Sequence, residues 1–213
     1  METLETTHTA AHSAGRLTAG IIATLAFVAL AVQPLLGEGS YLQNLGAMLR
    51  FFTIWGNVGA CLMMALVAFS WPVSGQRAQG ILAALVTALA IIGGIYWGVL
   101  SGDHHPEGYD RITNQFHHTI IPLATIVWWL RYAPPTKPIK NVIPAIMVPP
   151  LSYGAFALVL GQMTGFYAYF FVDLPLLGWP QFVLNNVLLA GFFALVGFAL
   201  VAFKNTIGLH RGG

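Results

Sequence analysis

QFHHTIIPLATI, residues 115–126, opens an apolar run that reaches Tyr132, and yet it carries two adjacent histidines, His117 and His118. A run of this length suits a helix crossing the hydrocarbon of a bilayer, which needs about 20 mostly apolar residues. The whole chain has the same character. Of its 213 residues, 57% are hydrophobic and 8% charged, against about 25% charged in an ordinary soluble domain. Such a chain cannot cover its surface with charge, so lipid is the solvent that fits it. The fold class expected is all-α, a polytopic membrane protein built as a bundle of six transmembrane helices.

Working outward from that run, the other spans fall at about 17–36, 51–69, 80–100, 141–160 and 181–203, with the fourth at 115–132. Residues 1–16 read as a disordered cytoplasmic tail, 17–204 as the membrane domain and 205–213 as a second tail. Arg16 before the first run resembles the charged start of a signal peptide, but the run is long and lacks a small-x-small cleavage site before Gly37, so it is read as a retained helix. Pro122, Pro144, Pro149 and Pro150 fall inside spans four and five, which membranes tolerate because neighbouring helices re-satisfy the freed carbonyls. The pair at 149–150 predicts a kink.

Lys and Arg sort by side. Arg16, Arg77, Arg131, Lys137, Lys140, Lys204 and Arg211 fall on one face of the six-span topology, and only Arg50 and Arg111 on the other. The positive-inside rule then puts both termini in the cytoplasm. Thr53, His117, His118 and Asp173 share the opposite face with the polar loop holding Asp103, His104, His105, Glu107 and Asp110. Topology alone therefore brings the reactive groups to one depth.

The net charge of +2 does not suggest nucleic acid. Cys61 is the one cysteine and reads as a packing residue, so no disulfide framework is expected. Adjacent histidines on a helix point about 100° apart, which argues against a joint metal site, and neither a metal nor an organic cofactor is expected. Thr53 falls just beneath the headgroups, with Asn57 one turn on and on the same face. A helical Thr ordinarily bonds the carbonyl one turn back, and Asn57 ordinarily packs helices. Intramembrane histidines, by contrast, default to function, and a neutral imidazole is a ready base. Asp173 can orient a histidine or simply face water.

Four stretches occur in a telling order: RFFTIWGN (50–57), IYWGVLSG (95–102), FHHTIIP (116–122) and TGFYAYFFVDLPLLGW (164–179). Together they resemble the androgen-induced-protein-like integral membrane proteins, most closely their bacterial six-helix branch, over most of residues 17–204. The resemblance implies a bacterial inner-membrane threonine hydrolase of fatty acid esters of hydroxy fatty acids. In it Thr53 is the nucleophile and a histidine is the base. Alignment on His-Thr, or on a His four before Pro, selects His118, while counting back from Pro122 as in the animal members selects His117. Asn57 is the expected oxyanion donor. The implied partners are the bilayer and a fatty acyl ester. A small-solute transporter or a membrane scaffold is the rival expectation.

Overall fold

The structure is a computed structural model that describes residues 2–209, with side chains from Ser13 to Ile207. The side chains of His8 and His12 lie outside the described residues. The elements are α1 (Glu2–Val32), α2 (Tyr41–Met48), α3 (Phe52–Ala68), α4 (Gln76–Ile95), α5 (Gly108–Gln115), α6 (Ile121–Tyr132), α7 (Ile143–Thr164) and α8 (Leu174–Leu209). No strand occurs among the described residues. A helix satisfies its interior backbone groups itself, as hydrocarbon demands.

Four stretches are long and apolar enough to cross a membrane: Ser13–Leu35, Gln76–Leu100, Ile139–Thr164 and Leu174–Ile207. Tyr41–Met48 and Phe52–Ala68 meet at 99° and make a fifth if the bent pair is one span. Six were expected from the sequence. The difference arises at 108–132, which is divided into short pieces by a π-helical turn at Phe116–Ile120.

Local chemistry sets the bends. Ser40 caps α2 through a capping box with Gln43, each side chain taking the other's backbone N–H. Phe51 is then extended, and α3 starts in a new direction. α4 ends in its own π-helical turn, Tyr96–Leu100. The loop expected over 101–114 stops at Gly108, because GYDRITNQ contains no further breaker and buries Thr113 and Asn114. α7 runs through Pro149 and Pro150 without interruption. The break in the last helix comes instead at Gly178, whose φ of 69° is left-handed.

α4 is the central helix, packed against α3, α6, α7 and α8, while α1 packs on α3 and α6. Gly56 allows α3 to lie close on α4, since a Cβ there would come within 2.3 Å of the Ile92 side chain.

Candidate functional site

Pro122 shapes the site. With no N–H of its own, it cannot bond the carbonyls one turn back. In the π turn the Ile121 N–H bonds Phe116 O, so the His117 carbonyl loses its helical partner as well. Asn57 supplies one: its Nδ2 donates to His117 O at 3.0 Å and to Thr53 O at 2.8 Å. The His118 carbonyl turns toward α4, where a Cβ on Gly93 would sit 3.1 Å from it. α3, α4 and the His-bearing segment are thereby held at one level.

At that level the Thr53 hydroxyl lies 3.3 Å from His118 Nε2. His118 Nδ1 lies 3.1 Å from the Asn114 carbonyl one turn back. A carbonyl only accepts, so Nδ1 carries the proton and Nε2 presents its lone pair to Thr53. The Thr53 hydroxyl does not bond back along its own helix. The carbonyl four residues earlier, Leu49 O, accepts from the Trp55 indole at 2.9 Å.

The imidazole is fixed from a second direction. The Tyr96 ring stacks on His118 with centroids 3.8 Å apart and planes 18° from parallel. Asn114 Nδ2 donates to the Tyr96 hydroxyl at 2.7 Å, and Trp97 Nε1 donates to Thr119 at 3.0 Å. The two π turns are thus latched to each other. Such wide turns recur at functional sites.

Tyr169 roofs the pair. Its phenol accepts the Phe52 N–H at 3.2 Å and lies against the hydroxyl and backbone N–H of Thr53. Burial pushes this phenol above its ordinary range, so it stays a neutral hydrogen-bonding group. Tyr153 stands beside it and donates to Arg50 O at 2.8 Å.

Thr53 and Tyr169 also line a cavity of about 270 Å³ between α3, α4, α7 and α8. Its walls are otherwise aliphatic and aromatic, with Asn186 the one amide among them. Ile91 and Phe193 of its lining pack with Ala88 in one buried cluster, and Val172 and Phe182 pack with Leu174 in another.

The remaining expected site residues stand elsewhere. His117 is buried at 3% exposure with its ring beside the Ala29 carbonyl of α1, which it approaches outside good hydrogen-bond geometry. It does not meet Thr53. Asn57 cannot be an oxyanion donor as expected, because both its N–H bonds already go to carbonyls, and it acts as a clamp. Asp173 does not orient a histidine. The Asn114 carbonyl occupies His118 Nδ1, and the Asp173 carboxylate caps α8 by accepting the Leu176 N–H at 3.1 Å. Among the described residues no group of three or more His, Cys, Asp or Glu is placed to hold a metal.

Residue chemistry assigns no catalytic role to Tyr96, Asn114, Tyr153 or Tyr169. Tyr96 and Tyr169 fall inside the quoted stretches 95–102 and 164–179, which was the only available signal. No family model, curated protein or solved structure matches the chain.

Proposed function

We propose that the chain is an intramembrane threonine hydrolase that cleaves fatty acyl esters, with Thr53 as nucleophile and His118 as base. The observation that carries this reading is the 3.3 Å approach of the Thr53 hydroxyl to the lone-pair nitrogen of His118, at the wall of an apolar cavity. A nucleophile, a base within reach and a group orienting that base form the general pattern of acyl transfer. Here a backbone carbonyl is the orienting group, in the place a carboxylate fills in a Ser-His-Asp triad.

The steps balance as follows. His118 Nε2 takes the Thr53 proton as the oxygen attacks the ester carbonyl carbon. The tetrahedral centre collapses, the carbon–oxygen bond to the alcohol breaks, and the alcohol leaves with the proton from His118. Water, deprotonated by His118, then attacks the acyl-threonine. The acid is released and Thr53 regains its hydrogen. In this scheme Tyr169, in place of Asn57, supplies a donor to the developing oxyanion. Thr is branched at Cβ and restricted at χ1, so its aim depends on the helix start that holds it.

The proposal extends to topology. The apolar part of 108–132 would be a sixth span beside the bent α2–α3 pair. The Lys and Arg distribution would turn the site toward the non-cytoplasmic face of a bacterial inner membrane. The likeness of the four quoted stretches to the androgen-induced-protein-like family supports the same activity.

Purified protein in detergent, offered simple and branched fatty acyl esters, tests the reading. Thr53→Ala and His118→Ala should each lower kcat by about a thousandfold or more while the protein stays folded, since members of such a unit fail together. His117→Ala should retain turnover. Wild-type turnover by both variants ends the hydrolase reading.

A further inference from the structure

Among the residues lining the cavity, Leu151 and Ala155 alone are exposed. They stand four apart, one turn, on α7. Leu151 is 61% exposed, whereas the α4 lining residues Ile91 and Ile92 are buried and Ile95 is half-buried. The opening is therefore lateral. It flanks the crossing of α7 and α8, where a Cβ on Gly154 would lie 3.6 Å from Asn186 Oδ1. Both helices belong to stretches long and apolar enough to span a membrane, a composition that suits contact with acyl chain around Leu151.

Resting on the hydrolase reading above, we infer that Leu151 and Ala155 frame a portal through which a lipid-borne acyl chain passes sideways from the bilayer to Thr53. Three features fit that occupant. The portal offers only aliphatic surface, and an ester with long chains concentrates in the leaflet rather than in water. The lining on α8 runs from Phe182 to Phe193, eleven residues or roughly 16 Å of helix. That is about half of a ~30 Å hydrocarbon core, the reach of one lipid tail. The lining residues in the two buried apolar clusters, Ile91, Phe193, Val172 and Phe182, are themselves buried, which leaves the exposed flank of α7 as the way out. Small side chains at Gly154, Ala155 and Ala157 keep this flank open.

The test plugs the portal from outside, where folding is least disturbed. Ala155→Trp should lower kcat/KM for a long-chain ester in lipid nanodiscs by at least about tenfold. Leu151→Trp should lower it likewise. Val159→Trp, an equally bulky change one turn further on at a residue that is 58% exposed and outside the lining, should leave it at the wild-type value. Wild-type turnover by Ala155→Trp, or an equal loss in Val159→Trp, overturns the portal. A second readout needs no catalysis. Thr53→Ala protein in nanodiscs is photolabelled with a diazirine fatty acid, and the labelled peptides are mapped. Label on α7 and α8 that disappears when Ala155→Trp is added supports the portal even if no ester is hydrolysed. Undiminished label, or no label on those helices, overturns it. The hydrolase proposal fails separately, by absence of turnover in a wild-type protein that takes up the label.

Discussion

The two sides of α4 are built differently. Toward α1, α3 and α6 the bundle is solid: Ala19, Ala26, Ala60, Met64, Leu89 and Trp129 belong to one buried cluster. Toward α7 and the upper part of α8 it is hollow, with a 270 Å³ cavity. Hydrophobicity does not distinguish the two, because both sides are apolar. Nor does side-chain size, since both sides carry small residues: alanines on α1 let α3 pack against it, whereas Gly154, Ala155 and Ala157 on α7 line a cavity. Thr53 sits on the seam, its helix anchored in the solid side and its hydroxyl reaching the hollow one. On this view the solid side carries stability and the hollow side carries rate.

The largest expected effect tests the solid side. Met64 is fully buried and does not line the cavity. Met64→Ala should cost about 2–5 kcal/mol, chiefly as lost packing contacts, read as a lower midpoint in denaturant titration of the detergent-solubilised protein. KM for an ester should stay within about twofold. A large change in KM at normal stability would erase the distinction. The next effect tests the hollow side. Tyr169→Phe removes one hydroxyl from the roof of Thr53 and should raise the barrier by about 2.7–4 kcal/mol, read as kcat, with unfolding little changed. Equal losses in rate and stability would make Tyr169 a structural strut instead.

A third prediction probes the seam. Asn57→Ala leaves the His117 carbonyl buried and without its donor, which should cost about 1–3 kcal/mol of stability. It should also lower kcat, because the segment that carries His118 loses its tie to α3. Asn57→Asp should not rescue, since a carboxylate has no N–H to give. Full activity in Asn57→Ala would show that the two π turns, latched by Trp97 and Thr119, hold the site unaided.

Much of this arrangement was legible in the chain. Long uncharged runs announce lipid, and Pro122 beside two histidines marks the segment where regular hydrogen bonding fails. Topology put Thr53, His117, His118 and Asp173 at one depth, and the resemblance made Thr53 the nucleophile while leaving both histidines open as the base. Four things were hidden. The group orienting His118 is the backbone carbonyl of Asn114, and a carbonyl leaves no mark in a sequence. The occupation of Asn57 by two carbonyls depends on which helix lies opposite. The cavity is a property of what is missing between α7 and α8, and a glycine or alanine in a membrane helix reads equally as close packing or as empty space. The role of Asp173 was hidden for a similar reason, since a carboxylate just before a helix serves as a cap as readily as a triad member.

The smallest expected effect separates two neighbouring residues. His117 and His118 are adjacent, yet one ring lies against α1 in the solid side and the other faces Thr53. His117 is buried, its ring beside the Ala29 carbonyl but outside good hydrogen-bond geometry. A buried polar group so weakly partnered gains little from its polarity, and an apolar replacement of similar shape is near neutral. His117→Leu should therefore change stability by no more than about 1 kcal/mol and leave kcat unaltered, while His118→Leu abolishes turnover. The same pair of variants locates the boundary between the two sides of the molecule to one residue. If His117→Leu instead loses activity while still folding, the ring against α1 takes part in the chemistry, and the solid side is not merely scaffolding.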